Sequence, residues 1–157
     1  MANEKAERTP NASIALRMTR HFSAPPDALF RAWTDPTAFA QWMGPPGVTA
    51  RDVRIDLRVS GRYSLVMDGE DGNAYPLSGE YREIDPPKRL AFTLEWGHGD
   101  LAGLEMLVSV DFIAERDGTR MEFLQERIPT ESARGHHEEG WTGSFERLEA
   151  YLAAPSR

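Results

Sequence analysis

The chain has 157 residues, a formal net charge of −7 and no cysteine. The missing cysteine excludes disulfides, thiolate chemistry and sulfur-ligated zinc, and the acidic balance argues against nucleic acid as the main partner, because phosphate binding needs a basic face. No apolar run reaches the ~18 residues of a membrane span, and the polar start MANEKAERTPNAS lacks the apolar segment of a secretory signal. The expected location is therefore the cytoplasm. Residues 1–12 are polar and expected to be a disordered tail, and residues 13–154 are expected to form one domain.

Ser13 to Phe22 alternates, with Ile14, Leu16, Met18 and Phe22 on one face and Ala15, Arg17, Thr19 and His21 on the other, which predicts a half-buried strand. Ser23-Ala24-Pro25-Pro26-Asp27 stops it and starts a short helix over Asp27 to Thr34, with Leu29, Phe30 and Trp33 on one side. Asp35-Pro36 repeats the start signal for a second short helix, Thr37 to Trp42, which buries Phe39 and Trp42 and ends at Gly44-Pro45-Pro46-Gly47. The middle of the chain reads as strands and turns: Val48 to Leu57, Gly61 to Met67, Tyr75 to Ile84, Arg89 to Trp96, Leu104 to Glu115 and Thr119 to Ile128. Asp117-Gly118 is the strongest hairpin signal.

Thr130 to Ala153 reads as one long amphipathic helix. At 100° per residue from Trp141, Phe145 falls at about 40°, Leu148 at about −20°, Leu152 at about 20° and His137 at about −40°. The order strand, two short helices, six strands, long helix implies an α+β domain. Six strands with short connections form an antiparallel meander, the first strand joins it at an edge, and the terminal helix covers one face.

Several stretches resemble a known family. Phe30-Arg31-Ala32-Trp33-Thr34-Asp35-Pro36, Trp42-Met43-Gly44-Pro45, Asp56 to Tyr63, Gly79 to Pro87 with Arg89-Leu90, and Gly140-Trp141 look like the blocks of the activator of heat-shock protein 90 ATPase homologue family, within the START-like (SRPBCC) superfamily. The ordered set covers roughly residues 14 to 153. The resemblance implies a helix-grip fold, a curved six- to seven-stranded sheet wrapped around the C-terminal helix, with an apolar cavity between the two. One departure is visible: where the family often has two glycines, this chain has Ser60-Gly61, and Gly61 alone is expected to supply the turn.

The inward strand positions are Tyr63, Leu65, Met67, Tyr81, Phe92, Leu94, Trp96, Met106, Val108, Val110, Met121 and Phe123, joined by His137, Trp141 and Phe145 from the helix. Aromatic and methionine side chains with a few polar groups suit a ligand cavity. They also suit a filled core, and residue types alone do not separate the two. Gln125 shares a face with Met121 and Phe123, so its amide needs a ligand, a water or solvent at the strand end. His136 and Glu139 have ligand spacing on the polar side of the helix but no third ligand, so no metal and no cofactor is expected. His137 lies on the apolar face and is the one weak candidate for an acid or base.

The leading expectation is sequestration or transport of a small hydrophobic or aromatic ligand. One alternative is a cyclase-, aromatase- or hydrolase-like activity on a polyketide-type substrate, carried by His137. The other is a protein-interaction module modulating a chaperone ATPase. It ranks lower because the co-chaperone that names the family leans on an additional N-terminal domain. Exposed sheet edges would permit a homodimer.

Overall fold

The computed structural model describes residues 14–154, so the expected tail over 1–12 lies outside the described residues. The alternating segments form strands and the proline-started segments form helices. Their order is β1 (Ile14–Phe22), α1 (Pro26–Thr34), α2 (Pro36–Trp42), β2 (Thr49–Ile55), β3 (Arg62–Asp68), β4 (Ala74–Asp85), β5 (Arg89–Trp96), β6 (Met106–Glu115), β7 (Gly118–Ile128) and α3 (Glu131–Ala153). Among the described residues, no helix is long and apolar enough to cross a membrane.

Side-chain caps set the starts of α2 and α3. The Asp35 carboxylate accepts from the Ala38 amide at 2.9 Å, and the Thr130 hydroxyl accepts from the Ala133 amide at 3.0 Å, each satisfying an amide that the first turn leaves without a partner. All strand pairings are antiparallel, in the order β1-β7-β6-β5-β4-β3-β2. The meander thus runs from β2 to β7, and β1 closes the sheet beside β7, as the sequence implies. This curved seven-stranded sheet with its long C-terminal helix is a helix-grip fold.

The core lies between the inward sheet residues and the buried stripe of α3, made of Ala133, His137, Trp141, Ser144, Phe145 and Leu148. The short helices enter the same space. Trp33 of α1 lies 4.9 Å from Trp42, 6.1 Å from Phe92, 5.8 Å from Trp141 and 6.2 Å from Phe145, measured between ring centroids. Trp42 fixes α2 to α1 by donating from Nε1 to the Ala32 carbonyl at 2.9 Å. One part of the space under the grip is therefore filled with aromatic rings.

The turn before β3 differs from expectation. Ser60, not Gly61, takes the left-handed conformation, with φ of 72°. Gly61 is required for close approach instead, since a Cβ there would sit 2.2 Å from the Asp56 carbonyl oxygen. A non-glycine residue bears the backbone cost at the position where the family often has its first glycine.

Two glycines one turn apart on α3 have opposite surroundings. A Cβ on Gly143 would lie 2.9 Å from both Pro45 Cβ and Pro46 Cδ, whereas a Cβ on Gly140 would meet no atom within 4 Å. Proline rings are rigid, so the first contact has little room to relax. Gly143→Ala is expected to destabilise the fold by about 1–3 kcal/mol through overpacking. Gly140→Ala is expected to stabilise it by up to about 1 kcal/mol through helix propensity. Urea denaturation of both variants checks the pair, and a shift of the same sign in both would remove the account.

Candidate functional site

A cavity of about 320 Å³ opens between α3, the loop joining α2 to β2, the β3–β5 part of the sheet and the loop joining β5 to β6. Its buried wall comprises Met43, Gly44, Met67, Leu77, Leu94, His137, Trp141 and Ser144. Its half-buried wall is Pro45, Tyr75, Trp96, Leu101 and Gly140, and its exposed rim carries His98, Asp100 and His136. The size falls within the ~300–1,000 Å³ usual for small-molecule pockets. Gly140 lines this cavity, and a Cβ there would meet open space.

Of the inward positions read from the sequence, Met67, Leu94, Trp96, His137 and Trp141 line this cavity. Tyr63, Tyr81 and Phe92 line a second, much smaller void beside Trp33 and Phe39. Leu65, Met106, Val108, Val110, Met121, Phe123, Gln125 and Phe145 are buried but are not among the walls of the large cavity. Part of the reason is direct cover: Phe123 packs on Trp141 and Phe145 of α3, Gln125 bonds Trp141 and Met106, and Phe145 meets Trp33 and Trp42 of the short helices.

The buried polar groups of the wall are already partnered. His137 Nδ1 lies 2.8 Å from the Ala133 carbonyl, which can only accept, so this nitrogen carries the proton. His137 Nε2 is then the acceptor for the Trp96 indole N–H at 3.1 Å. Trp141 Nε1 donates to Gln125 Oε1 at 2.9 Å, and Gln125 Nε2 contacts the Met106 sulfur at 3.3 Å. The Gln125 amide therefore finds its partners within the core and not at a cavity wall. Ser144 Oγ donates to the Gly140 carbonyl at 2.9 Å and accepts from the Gly44 amide at 3.0 Å.

These bonds bear on chemistry. The imidazole of His137 has no nitrogen left to exchange a proton with a bound molecule. Burial pushes its pKa below the ordinary value, an effect opposed by the Ala133 hydrogen bond and reinforced by His136. Burial also raises Tyr63 and Tyr81 well above the usual tyrosine range, so both are uncharged. The Tyr63 hydroxyl is used internally, donating to the Thr93 carbonyl at 2.6 Å. Among the described residues, no group of three or more His, Asp or Glu side chains is placed to hold a metal ion.

The loop wall is held by α3. Arg147 Nη1 donates to the carbonyls of Gly44 at 2.7 Å and Val48 at 2.9 Å, and Nη2 donates to that of Gln41 at 3.2 Å. Together with Ser144, this cation fastens the Met43–Val48 segment across one side of the cavity.

Several wall residues escaped sequence reading. Leu77 and Tyr75 share the face of Tyr81 by period two, and following that alternation back along β4 would have found them. Met43, Gly44 and Pro45, and the loop residues His98, Asp100 and Leu101, carry no periodic signal. His136, on the polar side of α3, is exposed and also stands on the rim.

A family model described as Activator of Hsp90 ATPase homolog 1-like protein matches residues 23–153. Among solved structures, a protein from Chromobacterium violaceum is 29% identical, with 89% of this chain and 97% of that one covered and a TM-score of 0.81. The AHSA1 protein from Silicibacter pomeroyi is 31% identical, covering 89% of this chain and 98% of its own, with a TM-score of 0.79. A Mycobacterium smegmatis protein is 25% identical over 91% of this chain and 93% of its own, with a TM-score of 0.77. No curated protein matches the sequence.

The depressed pKa of His137 has a sign that can be tested. Its folded-state value lies below the ordinary 6.5, so the folded state binds fewer protons than the unfolded state in that window. Its contribution to stability is fully present above the unfolded value and is lost as pH falls toward the folded one. The unfolding free energy is therefore expected to fall more steeply between about pH 7 and pH 5 in the parent protein than in His137→Gln. Denaturant titrations at several pH values measure the difference, and parallel curves would contradict the buried neutral tautomer.

Proposed function

We propose that this chain, which belongs to the Activator of Hsp90 ATPase homolog 1-like family in the START-like superfamily, binds a small apolar molecule in the cavity under the N-terminal half of α3. The observation that carries this reading is the open space of about 320 Å³ between helix and sheet, walled by Met43, Met67, Leu77, Leu94, Trp96 and Trp141. Apolar walls of this kind bind by removing ligand surface from water, worth roughly 25 cal/mol per Å² before ordering costs are subtracted. Methionines at two wall positions let the surface adjust to ligand shape.

Binding without turnover fits the polar chemistry better than catalysis does. A cyclase or hydrolase route needs a group that takes or gives a proton inside the cavity. His137 is the imidazole set deepest in the wall, and its two nitrogens are committed to Ala133 and Trp96. The activator role in the family description belongs to the proteins for which the family was named.

Gly140 supplies the test. Gly140→Leu would push a side chain into the open space while adding a better helix former. Titration with an uncharged naphthyl probe, followed by tryptophan fluorescence, is expected to saturate with the parent protein and to weaken at least about tenfold with Gly140→Leu, whose folding remains intact. Absence of saturable binding to the parent, or equal binding to a folded Gly140→Leu, would sink the proposal.

A further inference from the structure

We propose that the preferred ligand is an amphiphile that enters apolar end first and leaves a protonated amine at the rim beside Asp100, so that the cavity discriminates against carboxylates of the same size. The inference rests on the cavity being a ligand site and names the class of molecule that it selects.

The first argument is the polarity gradient along the wall. At the buried end, every side-chain N–H and hydroxyl on the wall already has a protein partner, as the Trp96–His137, Trp141–Gln125 and Ser144–Gly44 bonds show. A polar group carried to that end would lose its water and gain no side-chain partner, a cost of a few kcal/mol on general grounds. The buried end therefore selects hydrocarbon or an aromatic ring. Free polar capacity is confined to the exposed residues His98, Asp100 and His136. A ligand with one polar end has one favourable orientation.

The second argument is the sign of charge around the opening. The wall contains no lysine and no arginine, and its single carboxylate is Asp100. Two more carboxylates touch residues of the wall or of the loop that supplies it. Asp71 accepts the hydroxyl proton of the wall residue Tyr75, a bond that holds its carboxyl below the usual range. Glu70 lies against Gly47, on the loop that supplies Gly44 and Pro45 to the wall. The nearby cation Arg147 is spent on backbone carbonyls. An anionic head would meet like charge, with the exposed imidazoles of His98 and His136 as its only side-chain donors on the wall, whereas an ammonium finds a carboxylate.

The third argument is the ring content near the rim. Tyr75 and Trp96 are half-buried, and the Tyr75 ring meets His98 edge-on at 5.5 Å. Aromatic faces attract ammonium groups and give nothing to carboxylates.

The test compares three probes with one naphthyl body: an ethylamine, the matching ethanol and the matching acetate, titrated calorimetrically at low salt. The alcohol reports the cavity alone. The amine is expected to bind at least about fivefold more tightly than the acetate, a modest factor because the charge pair is exposed to water and screened by salt. Asp100→Asn is expected to cut that preference, read as the ratio of amine to acetate affinity, at least about threefold. Glu146→Gln, an exposed carboxylate of α3 outside the cavity wall, is expected to leave the preference intact and so excludes a mere effect of net charge. If the alcohol binds but amine and acetate bind equally, or if Asp100→Asn preserves the preference, the selectivity proposal is overturned while the cavity reading stands. If none of the three binds, both fall.

Discussion

The close contact between Gly143 and the Pro45-Pro46 pair sets how α3 lies over the α2–β2 loop. A side chain at position 143 would collide with both proline rings, so glycine lets the helix approach to a distance no other residue allows. Ser144 and Arg147 then lock that approach by bonding the backbone of the same loop. Arg147 suits the task because a guanidinium presents several donors in a fixed plane. These three residues occupy one turn of helix, and the loop they hold contributes Met43, Gly44 and Pro45 to the cavity wall.

Below that contact the space under the grip divides. On one side, Trp33, Phe39 and Trp42 of the short helices meet Phe92, Trp141 and Phe145 in a packed aromatic cluster. On the other side, no element descends, and the cavity remains. Trp141 belongs to both: one turn below Phe145 it stacks on Trp33, yet it also forms cavity wall. Its indole N–H is held by Gln125, which is itself fully buried. That bond orients the ring separating packed core from open space and uses up a polar atom that would otherwise face the cavity.

Much of this architecture is legible in the sequence, because it follows from periodicity. The alternation of β5 through Leu90, Phe92, Leu94 and Trp96 and the stripe of α3 through His137, Trp141, Phe145 and Leu148 specify which faces meet. The Asp35-Pro36 start and the Asp117-Gly118 turn specify where elements begin and end. Periodicity says which side a residue faces and nothing about what stands opposite. Phe92 and Leu94 are two residues apart on the same face, yet one meets Trp33 and the other meets the cavity. The distinction depends on where α1 and α2 dock, a tertiary fact. The loop residues His98, Asp100 and Leu101 are less legible still, since a loop has no period to place them. The turn at Ser60 shows a different limit: glycine marks a special backbone site, but the left-handed residue is its neighbour and the glycine answers a steric demand.

Packing explains neither Gly135 nor Gly140 in α3, and of the two only Gly140 lines the cavity. It costs helix propensity in the middle of α3, where alanine would be better by about 1 kcal/mol. Close packing cannot justify it as it justifies Gly143, because nothing lies within 4 Å of the missing side chain. The helix otherwise has a capped start and a buried face that runs from Ala133 to Leu148. A local preference broken without a structural return is expected at functional sites, where stability is given up for something else. Here the thing obtained is volume. A larger residue at 140 would take up open space at the wall of the apolar cavity that Trp96 and Trp141 also line. Beside the stripe that holds α3 down, one wall position carries no side chain, and that missing side chain is the most economical physical reason for reading the space beneath it as a site.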